Sequence, residues 1–273
     1  MNTGQKIIKY LALALAISLI VGIFSGIFKV LVVVTGLGQI TKSPILENPT
    51  QWAVSQNVTQ LEVEIQGLEL TILPDTEFRV ETDSKYVTRK ESGNKLTIKE
   101  KKNSWLNPSG GRIVLYVPAD HVFDQVHIEA GTGDFSVVSL QTNKLDLDLG
   151  AGEVTFGTLN VWEEAEIDGG AGKIHVQNGT LTDLDLDMGV GELLLTAQLK
   201  GKNQVDCGVG NVELTLIGAE DYRICLDKGI GSATLNDEPM EDNAFYGNGE
   251  NTVEISGGIG SIAIDLAYIG VAD

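Results

Sequence analysis

Seven copies of the motif Gly-x-Gly, each in the same pattern of neighbours, recur in this chain at nearly even spacing, starting at Gly131, Gly150, Gly170, Gly189, Gly208, Gly229 and Gly258. Successive intervals are 19, 20, 19, 19, 21 and 29 residues. A period of about 20 residues is the mark of a solenoid, whose single winding cannot bury its apolar side alone and needs its neighbours to complete a core.

The residues around each motif say what kind of winding this is. Three positions before the first Gly stand Ile128, Leu147, Ile167, Leu186, Val205 and Leu226. Two positions after the second stand Phe135, Val154, Ile174, Leu193, Val212, Ala233 and Ile262, and two further on Val137, Phe156, Val176, Leu195, Leu214, Leu235 and Ile264. Apolar and polar residues thus alternate with period two on both sides of the motif, the signature of two short strands with one buried face. The spacing of three and four that a helix needs is absent. The glycines mark the bend between the strands, where backbones approach closely. A second corner carries Leu140, Leu159, Leu181 and Leu199, whose side chains are expected to plug the winding.

The fold class is therefore all-β: a β-solenoid of about seven coils with about 20 residues each, with successive windings directly atop one another. Strand edges then remain only at the two ends, which need caps. The regular coils span residues 126–268, with a tail over 269–273. Residues 60–125 read as an irregular β segment leading into them, since Leu61-Glu62-Val63-Glu64-Ile65 alternates as the coils do, with further strands expected at Phe78–Thr82, Lys95–Glu100 and Arg112–Val117. The extra length before Gly258, around Pro239, reads as an inserted loop.

Residues 7–34 are almost wholly apolar. At about 1.5 Å per residue such a run is long enough to cross a bilayer core of about 30 Å. It is expected to be a retained transmembrane anchor, with residues 1–6 as a short cytoplasmic start and 35–59 as a linker. Lys6 just before it and Lys9 at its start place the β domain outside a single-pass cell-membrane protein. The formal net charge is −19. That charge argues against nucleic acid as a partner and favours cationic ones.

Cys207 and Cys225 are the only cysteines. Cys207 shares an apolar position with Leu149 and Met188, whereas Cys225 shares a polar one with Asp146, Glu166 and Asp185. They are expected on opposite faces as free thiols, because a disulfide needs converging Cβ atoms.

The most suggestive chemistry is an acidic ladder two positions before each Gly: Glu129, Asp148, Asp168, Asp187, Asp206 and Asp227. Carboxylates about 5 Å apart repel by roughly 0.8 kcal/mol even in water. A column of Ca²⁺ ions would offset this, as hard cations take oxygen ligands. The preferred account needs no metal: each carboxylate accepts hydrogen bonds from the N–H groups of its own bend. No cofactor is expected either. The glycines lack the third Gly and following helix of a dinucleotide site. The acids follow the repeat rather than breaking it, as the paired carboxylates of a carbohydrate-active enzyme would. His121, His127 and His175 share no metal-ligand spacing. Trp105, Trp162, Phe245 and Tyr246 are expected to pack or cap ends rather than bind glycans.

An anchored start followed by repeats such as Leu147-Asp148-Leu149-Gly150-Ala151-Gly152-Glu153-Val154 and Leu186-Asp187-Met188-Gly189-Val190-Gly191-Glu192-Leu193 resembles the bacterial "putative adhesin" family of membrane-anchored β-solenoid domains of unknown function. The resemblance covers residues 60–268 and brings no catalytic residues with it. It implies a non-enzymatic envelope protein that displays its solenoid for adhesion or for binding a protein or envelope ligand. The alternative is a regulatory accessory protein of the cell-envelope stress response.

Overall fold

The computed structural model describes residues 46, 48–101, 110–243 and 245–267, and the regular structure among them is β throughout apart from a single 3-10 turn at Ala219–Asp221. Among the described residues no helix is long and apolar enough to cross a membrane. The expected anchor over 7–34, Trp105 and the tail lie outside the described residues. Within the expected linker, Thr50–Ala53 forms a strand.

The columns expected from the sequence are present. Leu186 stands in register with Ile167 on one side and Val205 on the other, and Leu193 with Ile174 and Val212, all in parallel strands. Ile128, Leu147, Ile167, Leu186, Val205 and Leu226 are all buried, as are the corner residues Leu140, Leu159, Leu181 and Leu199. Side chains that alternate along one strand therefore line up from rung to rung into a continuous core. Phe135 meets Phe156 edge-on in that core, with centroids 5.6 Å apart.

The glycines are required by the neighbouring rung. Gly191 has φ +153°, and a Cβ there would run into the carbonyl oxygen of Gly172. The first Gly of the same motif is also hemmed in: a Cβ on Gly189 would lie 2.6 Å from the carbonyl oxygen of Gly170.

Stacking order departs from chain order at both ends, against the expectation that windings follow one another directly. Lys202–Ile217 pairs in parallel with Asn251–Ala267, the last strand of the described chain, and not with Tyr222–Asp227. Tyr222–Asp227 and Ile230–Leu235 pair with the far side of that last strand. The rung of Gly258 thus lies between those of Gly208 and Gly229. The other end mirrors it. Gln60–Ile65 lies between Lys95–Glu100 and Phe123–Thr132, and Glu69–Asp75 lies between Arg112–Pro118 and the start of Phe135–Val176. The first and last windings of the chain are therefore each the second rung from an end, hydrogen-bonded on both sides.

The rungs left outermost carry antiparallel flaps. Val87–Ser92 covers Lys95–Glu100, and Arg79–Thr82 covers Arg112–Pro118. At the other end Phe245–Tyr246 covers part of Tyr222–Asp227, and Glu238–Pro239 part of Ile230–Leu235. Such short flaps, one of them ending in a Pro, leave no long flat edge on which a second chain could template. The loop around Pro239 is accordingly the return path from the outermost rung to the one beneath it, as well as part of the cap.

Two buried polar side chains hold the skipped rung in place. The Tyr222 hydroxyl donates to the Ile217 carbonyl at 2.6 Å and accepts from Leu199 N–H at 3.0 Å. Asn203 accepts from Leu184 N–H at 3.1 Å on one neighbouring rung and donates to the Thr252 carbonyl at 3.0 Å on the other.

Candidate functional site

The strand that ends in each Gly-x-Gly turns its polar side chains outward, so stacking writes them as columns. The acidic ladder forms as expected over most of its length: Glu129 stands in register with Asp148, Asp168 with Asp187, and Asp187 with Asp206. Its last step does not. Ser256 stands between Asp206 and Asp227, because the rung of Gly258 intervenes.

The expected hydrogen bonding of the ladder is also corrected. Among the described residues no ladder carboxylate accepts from the N–H groups of its bend. Asp206 instead accepts from Gln204 Nε2 at 2.8 Å, and its other oxygen is buried with no partner. The bend is too extended to fold its N–H groups back onto a side chain two residues earlier, and those groups enter the rung-to-rung ladder. Glu100 does cap a bend in the manner expected, accepting from Gln66 and Gly67 N–H at 2.8 and 3.0 Å, but it does so from the next rung.

A second acidic column runs beside the first, two residues earlier on the same outward face. In stacking order it reads Glu62, His127, Asp146, Glu166, Asp185, Gln204, Glu254 and Cys225. The two columns perturb each other. Burial and the charges of Asp206, Asp185 and Asp168 raise the Asp187 carboxyl above its ordinary value, and burial with Asp146, Asp168 and Asp185 does the same to Glu166. Among the described residues, cations answer the acids of these columns only near the first rungs: Glu62 pairs with Lys95 and Lys99, which hold its carboxyl down at about 2.

On the other side of the ladder the glycines floor an open groove of about 860 Å³, edged by Glu129, Asp148, Asp168, Asp187 and Asp206. Beyond the floor rises a column that the sequence pattern did not single out, the middle residue of each Gly-x-Gly. In stacking order it is Thr132, Ala151, Ala171, Val190, Val209, Ile259 and Ile230, so apolar bulk grows toward the last rungs. These side chains point outward: Val190 is 36% exposed, Ile259 46% and Ile230 71%. In chain order Ile230 would be read as the neighbour of Val209, whereas in the stack Ile259 takes that place.

Other sequence candidates fall elsewhere. Cys207 is buried and Cys225 half-buried, both free, as expected, and burial pushes the Cys207 thiol up. His121 packs in the core end between Phe78 and Phe123, at centroid distances of 5.0 and 4.5 Å, and burial lowers its pKa. His175 is half-buried on another face. Trp162 is 44% exposed. Phe245 lies under the Arg223 guanidinium, 4.5 Å from its ring centre, whereas Tyr246 packs on the core and accepts from Glu241 N–H at 2.7 Å, an end-capping role.

Comparison with known proteins places this architecture. Solved structures that resemble the chain include a putative cell adhesion protein from Clostridium sporogenes, 16% identical over 80% of this chain and 99% of that one, with a TM-score of 0.38. A putative adhesin from Bacteroides fragilis is 12% identical over 79% of this chain and 95% of that one, TM-score 0.36. Another from Parabacteroides distasonis is 14% identical over 80% and 96%, TM-score 0.32. No curated protein matches the chain. The Toastrack DUF4097 family matches residues 57–222 and 122–265, which together take in nearly all the described rungs, and the chain belongs to that family.

Proposed function

We propose that this chain is a non-enzymatic envelope protein whose β-solenoid displays a binding face for a cationic, amphipathic partner segment. The observation that carries the reading is the pairing of two columns along the last rungs. Val190, Ile259 and Ile230 are exposed and Val209 is half-buried between Val190 and Ile259, so that the four form an outward aliphatic ridge, and Asp187 and Asp206 line the far side of the glycine floor. Four rungs spaced about 4.8 Å apart give a ridge of about 15 Å. Exposed aliphatic side chains gathered in one line favour contact with another apolar surface. An uncompensated carboxylate row steers a positively charged one. The names of the similar solved structures, a cell adhesion protein and adhesins, agree with a display role.

On this reading residues 7–34 form the single transmembrane helix and the acidic solenoid of about seven coils stands outside the cell. The test is binding of a synthetic cationic amphipathic peptide to the full chain in nanodiscs, followed by fluorescence anisotropy at several salt concentrations. Saturable, salt-weakened binding is expected. Ile230→Ser with Ile259→Ser, and separately Asp187→Asn with Asp206→Asn, should each weaken it. Binding unchanged in both double variants contradicts the reading.

A further inference from the structure

The acidic face holds a nitrogen donor at one place along these columns. His127 occupies a column position that is Asp146, Glu166 and Asp185 on the next three rungs, and it stands in register with Asp146. Its Nδ1 lies 2.8 Å from Asp146 Oδ2. Asp148 projects from the same strand on the same face as Asp146, two residues on. One ligating atom from each of His127, Asp146 and Asp148 lies within 4.8 Å of the other two, and all three residues are half-buried. We propose that His127, Asp146 and Asp148 form a site for one first-row divalent transition-metal ion.

The geometry suits such an ion. Bonds of about 2.0–2.2 Å from a metal to imidazole nitrogen and to carboxylate oxygen put two ligands at right angles roughly 2.9 Å apart. The His127–Asp146 separation of 2.8 Å is close to that edge. Asp148, with an oxygen within 4.8 Å of both, supplies the third ligand, leaving the remaining positions to water. Glu129, in register with Asp148, adds negative charge from the neighbouring rung. The cations at this end do not compete: Lys95 and Lys99 are engaged by Glu62, which stands between them and His127.

The donor set also selects the class of ion. Imidazole with carboxylates suits zinc, manganese, iron or cobalt, whereas calcium prefers six to eight oxygens. Further along the face the columns carry carboxylates and amides without imidazole, so the site is local to these rungs and distinct from a calcium ladder. Ligation needs no change in the rung backbone: the His127 imidazole takes the tautomer that carries its proton on Nε2, and the ion takes the place of the hydrogen between Nδ1 and Asp146.

The experiment titrates the full chain, in detergent micelles, with Zn²⁺ by calorimetry in the presence of excess Ca²⁺, and with Co²⁺ by visible absorption. One ion per chain is expected, with a Co²⁺ spectrum that carries ligand-field bands of a nitrogen–oxygen site. His127→Ala and Asp148→Asn should each weaken binding by more than about ten-fold, the scale already lost when an outer partner of a ligand is removed. His175→Ala should titrate as wild type. Circular dichroism of each variant verifies the fold, and Asp148→Glu, which keeps the carboxylate, should retain binding more strongly than Asp148→Asn. Equal Zn²⁺ binding by wild type and His127→Ala, or Zn²⁺ binding abolished by excess Ca²⁺, overturns the proposal.

Discussion

The Ser261 hydroxyl donates to Asn211 Oδ1 at 2.8 Å across a separation of 50 residues in the chain. The rung of Ser261 is seated on that of Asn211, and the rung of Ser232 lies on its other face. A chain that skips one rung and returns to fill it ends with its last strand bonded on both sides, and the same device is used at the start. The device also decides which isoleucine seats on Val209: Ile259 in the stack, although Ile230 is the next in the chain.

Tyr222 anchors the skip. Tyr222→Phe removes a hydroxyl that satisfies both Leu199 N–H and the Ile217 carbonyl in a buried setting. Leaving those groups without a partner should cost about 1–3 kcal/mol. Denaturant unfolding followed by circular dichroism will show a lowered midpoint with an unchanged slope; a midpoint equal to wild type would mean that the hydroxyl does not hold the rung.

Leu186 tests the inner columns. It is fully buried between Ile167 and Val205. Leu186→Ala should destabilise by about 2–5 kcal/mol through lost burial and a cavity. Leu186→Asp places an unpaired charge in the core and should prevent folding of the coil stack. Thermal stability unchanged in either variant contradicts the inward placement.

Much of this was legible in the sequence, for a physical reason. Inward columns are set by period-two alternation and by the constant interval, both of which are local patterns. Leu147, Leu186 and the corner leucines follow from them directly, as do two thiols on opposite faces. Rung order at the ends is not local. Nothing in Tyr222–Asp227 distinguishes stacking on Lys202–Ile217 from stacking one rung further out. The interval of 29 residues before Gly258 was the signal, and it reads as an inserted loop until pairing is known. The ladder was legible as positions but not as chemistry, since a carboxylate's hydrogen bonds depend on the shape of the bend. The middle residues of Gly-x-Gly looked like spacers because only the stacking of one winding on the next turns Val190, Val209, Ile259 and Ile230 into a ridge. His127 shared no spacing with other ligands because its partner Asp146 is one winding away.

The pH response of Asp187 has a definite sign. Its folded pKa is raised, by burial and then by Asp206, Asp185 and Asp168. The folded state therefore holds this proton more tightly than the unfolded chain, and stability falls as pH rises through the folded value. Asp187→Asn should stabilise at neutral pH and low salt by up to about 0.5 kcal/mol, discounted for exposure and screening. The gain should vanish below the ordinary carboxylate range, about pH 3.9. Glu62 has the opposite sign: held at about 2 by Lys95 and Lys99, it contributes stability above the unfolded value that is lost as pH falls toward the folded one. Thermal melts of the wild type and Asp187→Asn across pH check this, and a variant less stable at neutral pH would contradict it.

Gly191→Ala probes the bend. A Cβ at φ +153° meets the Gly172 carbonyl oxygen of the rung below, and both are backbone with little room to move. The expected loss is about 1–3 kcal/mol or more, with weaker amide-exchange protection on both rungs. Wild-type exchange on the rung of Gly172 would show that the rungs are not in contact there.

The order of the last rungs is the central claim about this fold, and paired cysteines test it. Asn211→Cys with Ser261→Cys joins adjacent rungs, about 4.8 Å apart, within the Cα range for a disulfide. Asn211→Cys with Ser232→Cys spans two steps, about 9.6 Å, beyond that range. After mild oxidation and peptide mapping by mass spectrometry, the 211–261 pair should cross-link and the 211–232 pair should not. Efficient cross-linking of 211 to 232, with 211–261 remaining free, would put the rungs back in chain order and contradict the skipped-rung fold.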